Sequence, residues 1–387
     1  MDVCSSSPSA DRLEVPPRSA TLARADSAAH LSADRPADLA PNQGRGALQP
    51  RQCARQPGSG RAWQRRRLLT EVITMASSAS ARNQRARPRA HCGGRARRPR
   101  SMADRLLQLA GQLTDRDRAI IRLVFEHRVF TTGQLTQVFF GSQDRAEHRL
   151  RQLIEANVLA RFRPYTPKGE GSAPFHYVLG NAGAAVLVAE RGLELRRLDY
   201  RQDKALEIAH SQRLAHHLGV NGFFTSLIGH ARQRRRGGAR LAVWLSERAC
   251  NDRWGHVVRA DGFGRWCQGK REVDFFLEYD RGTEPLERLA AKLVAYCELT
   301  DARQIPTPLL FWLPSSGREA SVREILANEH AWGKVRFLVA TASPTLGAGP
   351  AEAAWLPLGQ TWPRRRLIEL ADIDPHAQTF TTAWPIA

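Results

Sequence analysis

The chain has 387 residues, with 58 Lys+Arg against 38 Asp+Glu, a formal charge of +20 and 42% hydrophobic residues. That is length for two or three domains and enough apolar material for a sizeable core. There is no run of 18 apolar residues to span a bilayer and no apolar signal-peptide core at the start. Six cysteines without C-x-x-C spacing argue against a zinc ribbon or disulfide scaffold. The expectation is a soluble, cytoplasmic, basic protein with no membrane association.

Residues 1–101 hold 19 arginines, no lysine and seven acids, a net of +12, so more than half of the excess charge sits in about a quarter of the chain. Ala, Ser, Pro, Gly and Arg dominate, with one short apolar patch at Leu68–Ile73. Such a segment cannot bury enough surface to offset backbone ordering, and disorder is expected. It reads either as a basic arm tracking phosphates or as residues upstream of a true start at Met75 or Met102. Its charge therefore carries no functional argument.

Periodicity begins after Met102. Thr114-Asp115-Arg116-Asp117 is a capping-box-like start, followed by Ile120, Ile121, Val124 and Phe125 at helical spacing. Thr131-Thr132-Gly133-Gln134 opens a second, short helix with Leu135, Val138 and Phe139, closed by Gly141. A third helix, about 143–156, places Ala146, Leu150, Leu153 and Ile154 on one face. Arg145, His148, Arg149 and Gln152 gather on the other. A basic, amide-bearing face suits major-groove reading, because Arg bonds guanine and Gln bonds adenine bidentately. A strand at 158–163, a polar loop at 164–174 and a strand at 175–179 then form a hairpin wing. Arg161, Arg163 and Lys168 are placed there to meet phosphates of double-stranded DNA. Residues 181–190 read as a closing helix. The whole, 102–195, is expected to be a winged helix-turn-helix.

Residues 196–240 connect this unit to the next, mainly as one long amphipathic helix over 203–235. His210, His216 and His217 lie on it without the four-residue spacing of a zinc helix, and they read as structural. Over 241–372 strands and helices alternate, which predicts a mixed sheet flanked by helices. The strands are expected at 240–245, 256–261, 272–279, 307–313, 335–341 and 353–357, and the helices at 284–299 and 319–328. Residues 373–387 form a C-terminal tail.

The chemistry-bearing constellation is Asp261, Glu278, Asp280 and Lys292. Asp261 and Glu278 lie 17 residues apart, a distance that a hairpin can close. Converging carboxylates in a basic domain suit Mg²⁺ or Mn²⁺, which can activate water against a phosphodiester. Asp280 shares a strand face with Glu278 by the period-two rule, and Lys292 on the next helix can stabilise the transferring phosphate. Glu247 is a candidate extra acid. The alternative is structural pairing of Glu278 or Asp280 with Arg259, Arg271 or Arg281.

The run Arg259-Ala260-Asp261-Gly262, then Phe276 through Glu284, then Lys292 with Tyr296, resembles the replication-relaxation family. The resemblance covers about 106–370, including His216-x-Leu218-x-Val220-Asn221 and Trp244 with Glu247. It implies a role in replication or relaxation of a plasmid or mobile element, with replication or mobilisation proteins as partners. The acids are also similar to those of the PD-(D/E)xK nuclease superfamily, with Asp261 matching the first acid and Glu278 the second. That likeness implies a restriction-endonuclease-like sheet. Ala260 stands where that pattern has Pro, and Asp280 where it has the catalytic Lys, so activity would depend on Lys292 substituting from the helix. The rival readings are a winged-helix transcriptional regulator and a recruitment adaptor, each with a catalytically inactive nuclease-like domain.

Overall fold

The computed structural model describes residues 108–166, 169, 171–192, 200–234, 237–328 and 333–374. The expected N-terminal arm, Lys168 and residues 375–387 of the expected tail lie outside the described residues.

Both capping boxes form. Helix α1 (Asp115–His127) starts with the Thr114 hydroxyl accepting from the Asp117 N–H, while the Asp117 carboxylate takes the Thr114 N–H at 2.8 Å. Thr131 and Gln134 repeat this at the start of α2 (Thr132–Phe139). Helix α3 (Gln143–Glu155) buries Ala146, Leu150 and Leu153 against them. Strands β1 (Phe130–Thr131), β2 (Leu159–Phe162) and β3 (His176–Leu179) make an antiparallel sheet in the order β1-β3-β2. Helix α4 (Asn181–Glu190) closes the unit, its Glu190 held by Arg118 and Arg122 of α1.

The single long helix expected over 203–235 is instead broken. A short α5 (Gln202–Leu206) and a 3₁₀ turn (Glu207–His210) precede α6 (Leu214–Gln233). Ser211 is extended at φ −82°, ψ 133°, and its hydroxyl accepts from the Arg213 N–H at 3.2 Å. A serine offering the backbone a local bond competes with helix continuation. The break sets Arg213 and His216 at the start of α6.

Beyond α6 lies a six-stranded mixed sheet in chain order: β4 (Ala239–Ser246), β5 (Gly262–Gln268), β6 (Arg271–Tyr279), β7 (Leu309–Trp312), β8 (Val339–Ala342) and β9 (Leu356–Pro357). Strands β4 to β6 are antiparallel, β6 to β8 parallel, and β9 antiparallel to β8. The period-two alternation of β6 divides the core. Val273, Phe275 and Leu277 join the cluster that holds Val220, Phe223 and Phe224 of α6. Phe276 packs on the opposite side with α8 (Leu286–Arg303) and α9 (Ser316–Asn328). Helices on both faces of a mixed sheet give the α+β architecture that the strand and helix alternation implies.

Two local expectations fail. No strand runs over 256–261; residues after β4 form helix α7 (Glu247–Trp254), capped by Ser246 accepting from the Ala249 N–H at 3.2 Å. Residues 262–268, between the expected strands at 256–261 and 272–279, form strand β5. A Cβ on Gly264 would lie 2.4 Å from the Phe275 ring and 3.0 Å from Phe224. The glycine is there for close approach of aromatic rings, which is one meaning of glycine inside a strand.

Candidate functional site

Asp261 stands immediately before β5, and the pairing of Gly262 with Leu277 sets it across from Glu278 near the end of β6. Its Oδ2 accepts the Tyr279 N–H at 2.8 Å, and its Oδ1 lies 3.0 Å from His216 Nε2 of α6. Glu278 is 1% exposed and points to α8. There Lys292 Nζ lies 2.8 Å from Oε2, and the Tyr296 hydroxyl donates to Oε1 at 2.5 Å. Lys292 and Tyr296 are one helical turn apart, so one carboxylate meets both. Lys292 also reaches Glu284 at 3.2 Å.

Burial and the neighbouring Asp261 push the Glu278 carboxyl up to about 7, against the pull of Lys292 and Tyr296. Lys292 is raised despite burial, by Glu278 and Asp261, and stays charged. His216 is also raised: Asp261 outweighs the burial that opposes its charge.

The fourth residue of the expected constellation goes elsewhere. Asp280 lies just past β6, where its Oδ2 takes Arg318 Nε at 2.7 Å and its Oδ1 takes the Gly282 N–H at 2.8 Å. It ties the β6 end to α9. Its partner is Arg318, and not the Arg259, Arg271 or Arg281 considered from sequence.

Asp261 also lines a cleft of about 210 Å³ between the end of α1, the start of α6 and α7. Three ion pairs stud its walls: Arg213 with Glu247 at 2.6 Å, His216 with Asp261 at 3.0 Å, and Arg248 with Glu126 at 3.5 Å. Glu247 thus sits in the same cleft as Asp261, with Arg213 as its partner.

On the N-terminal unit, Arg145, His148 and Gln152 are exposed along α3. Arg149 is half-buried and makes two bonds, at 3.0 and 2.5 Å, to the carboxylate of fully buried Asp117. It also donates to Gln152 at 2.7 Å. The structure therefore uses Arg149 to fasten α3 to the start of α1. Arg161 and Arg163 are exposed on and after β2, and both guanidinium groups lie over the Phe175 ring, at 4.0 and 3.9 Å.

With this geometry in place, the chain can be compared with known proteins. Residues 121–308 match the family model described as replication-relaxation. The matched stretch includes α3, β2, His216, Asp261, Glu278 and Lys292, and it supports that family. It stops short of Arg318. No curated protein and no solved structure matches the chain. No helix among the described residues is long and apolar enough to cross a membrane.

Among the described residues no group of three or more His, Cys, Asp and Glu is arranged to hold a metal ion. The donor set that remains is the pair of hard carboxylates, each oxygen keeping a lone pair beyond its protein partner. Burial first, and then the Asp261 charge, raise Glu278, and Lys292 already offsets part of that. Hard carboxylate oxygens are the donor type that Mg²⁺ or Mn²⁺ takes, with water in the rest of the shell.

His216 was legible only as a structural histidine, because the spacing rules for metal helices do not report a partner 45 residues away. Arg318 and Glu126 carried no sequence signal at all.

Proposed function

We propose that this is a DNA-binding protein acting in replication or relaxation of a plasmid or mobile element. The observation that carries the reading is the replication-relaxation match over residues 121–308. The N-terminal unit would act as a winged helix on double-stranded DNA. Arg145, His148 and Gln152 of α3 are exposed for base edges, and Arg161 and Arg163 for phosphates. Arg149 would support that face from behind. Replication or mobilisation proteins are the further partners that the family suggests.

In the α/β unit Asp261 and Glu278 would hold a divalent cation, whose chemistry is to polarise a phosphate oxygen and lower the pKa of water. The chain's own residues would do the rest. Tyr296 and Lys292 orient the Glu278 carboxylate, the Tyr279 N–H and His216 orient Asp261, and charged Lys292 offsets negative charge at a transferring phosphate. Such an arrangement resembles a PD-(D/E)xK nuclease in which the lysine comes from the helix.

A second reading is favoured by one observation: all four oxygens of Asp261 and Glu278 already have protein partners. On that reading the acids are structural, and the domain is an inactive, nuclease-like part of a regulator or adaptor.

The deciding experiment puts the full chain on supercoiled plasmid with Mg²⁺, Mn²⁺ or EDTA, beside the Asp261→Ala/Glu278→Ala double variant. Metal-dependent nicking lost in the variant supports the nuclease reading. Intact supercoils with equal gel-shift binding by both proteins support the second. Absence of any DNA binding sinks the nuclease reading and leaves only the adaptor form of the second.

A further inference from the structure

Among the described residues, the cleft beside Asp261 contains one cation that its own walls do not neutralise. Glu126, Glu247 and Asp261 are taken by Arg248, Arg213 and His216. Arg128 also lines the cleft, is exposed, and has no carboxylate partner among the described residues.

Its backbone is unusual as well. Arg128 has φ 72° and ψ −56°, and the Val129 N–H donates to the His127 carbonyl at 2.9 Å across it. That is a γ-turn of the rare, strained kind. A long side chain at positive φ persists only where its surroundings over-determine it. Here they do. Buried Asn221 of α6 donates to the carbonyls on both sides, His127 at 3.1 Å and Val129 at 2.7 Å. His127 and Val129 are buried, with His127 stacked on Trp244 at 3.8 Å between centroids. The turn pins its two flanks into the core and leaves only the guanidinium side chain out, in the cleft.

The walls around it offer unmet polar atoms. His127 Nε2 and Asn251 Oδ1 are buried, belong to residues that line the cleft, and have no hydrogen-bond partner among the described residues. His127 Nε2 in its N–H tautomer would donate to an anion, whereas the Asn251 oxygen only accepts and calls for ordered water. The volume, about 210 Å³, holds roughly seven waters at ~30 Å³ each, which is room for a phosphate group with the edge of its sugar. An unpaired guanidinium with fork geometry is the side chain best suited to phosphate oxygens.

We propose that Arg128 is the phosphate-positioning residue of this cleft, delivered by the strained turn of the N-terminal unit to seat a phosphodiester beside Asp261. The source of the phosphodiester, a strand of bound DNA, rests on the function proposed above; the phosphate chemistry does not. His217 agrees with the placement: burial first, and then the Arg128 charge, push its imidazole down to about 4, so it faces the site neutral. The N-terminal unit then completes a site of the α/β unit, instead of only carrying it to DNA.

The test uses the full chain and the variants Arg128→Gln, Arg128→Gly and Arg145→Ala. Affinity for a fluorescein-labelled 20-base-pair duplex is read as a function of salt, and melting temperature is read with and without a nucleoside 5′-monophosphate or orthophosphate. Both Arg128 variants should bind the duplex about tenfold more weakly. Their salt slope should fall by about 0.9, the signature of one lost phosphate contact. Arg128→Gly should nevertheless melt above the wild type, because glycine relieves the turn; a merely structural arginine would not separate binding from stability in this way. Unchanged affinity and slope in both Arg128 variants, with Arg145→Ala weakened, overturns the proposal and leaves duplex binding standing. If the wild type binds no duplex, yet free phosphate or nucleotide raises its melting temperature and not that of Arg128→Gln, the phosphate cleft stands and DNA as its source falls. No response to any of these ligands overturns it.

Discussion

Arg145 and Arg149 are the same residue type one turn apart on α3, and their surroundings give them different work. Arg149 makes a bidentate bond to a carboxylate with no exposed surface, and Asp117 is held below the usual carboxylate range because Arg149 and Thr114 outweigh the burial that opposes its charge. Removing one partner of a buried pair leaves the other uncompensated, at roughly 3–5 kcal/mol. Arg149→Ala should therefore cost a few kcal/mol, read as a lowered urea midpoint. Arg145 is exposed and without an acidic partner among the described residues. Arg145→Ala should leave stability within ~0.5 kcal/mol and weaken duplex binding, measured by fluorescence anisotropy. Equal losses of stability in the two variants would contradict this division.

At the scale of elements, α6 packs on both the N-terminal unit and the six-stranded sheet. The break at Ser211 frees Arg213 and His216 to face Glu247 and Asp261, and Asn221 one and a half turns later clamps the turn between α1 and β1. Asn221→Leu keeps the size and removes the donor from two carbonyls. Each unsatisfied buried acceptor costs roughly 1–3 kcal/mol. The His127 carbonyl keeps the Val129 N–H, so only the Val129 carbonyl loses its donor. A loss of about 1–3 kcal/mol is expected in a thermal or urea melt, with lower affinity for the duplex because Arg128 loses its fixed direction. A variant as stable as the wild type would mean that the turn does not need its clamp. On the far side of the sheet, buried Glu319 joins α9 to the C-terminal segment through two bonds from Arg364 at 2.9 Å, and to β8 through one from the Thr341 hydroxyl at 2.8 Å.

For the whole molecule, buried titratable groups set opposing responses to pH. His127 and His217 are pushed from 6.5 to about 4, in each case first by burial. Both are neutral in the folded protein. Their contribution is complete above pH 6.5 and is lost as pH falls toward 4, on the order of 1 kcal/mol per pH unit for each ring. Glu278 runs the other way. Its folded carboxyl titrates near 7 against 4.5 when unperturbed, so the folded state holds a proton that the unfolded state has released, and stability falls as pH rises between those values. Urea midpoints of the wild type should drop from pH 6.5 to pH 4.5. The difference between Glu278→Gln and wild type should grow in favour of the variant from pH 5 to pH 8. A difference independent of pH would show that Glu278 is ionised throughout.

What the sequence determines by itself is local. The capping boxes at Thr114 and Thr131, the apolar face of α3 and the closing helix at 181–190 follow from bonds and periodicities that span three or four residues, and they form where the pattern puts them. A hairpin joining Asp261 to Glu278 is expected from sequence, but with Asp261 ending a strand over 256–261; Asp261 instead stands just before β5, whose pairing with β6 sets it across from Glu278. Tertiary structure decided the rest. Gly262 and Gly264 lie outside every strand expected from sequence, and they sit in β5 because the Phe224 and Phe275 rings fill the space that a side chain would need. Asp280 reads as a third acid until Arg318, 38 residues later, takes it. The role of Arg128 depends on a positive φ held by Asn221, more than 90 residues along the chain. Helix caps and periodicity are short-range physics, written next to the residues they act on. Ring packing, ion-pair choice and a strained turn depend on partners that only folding brings within reach.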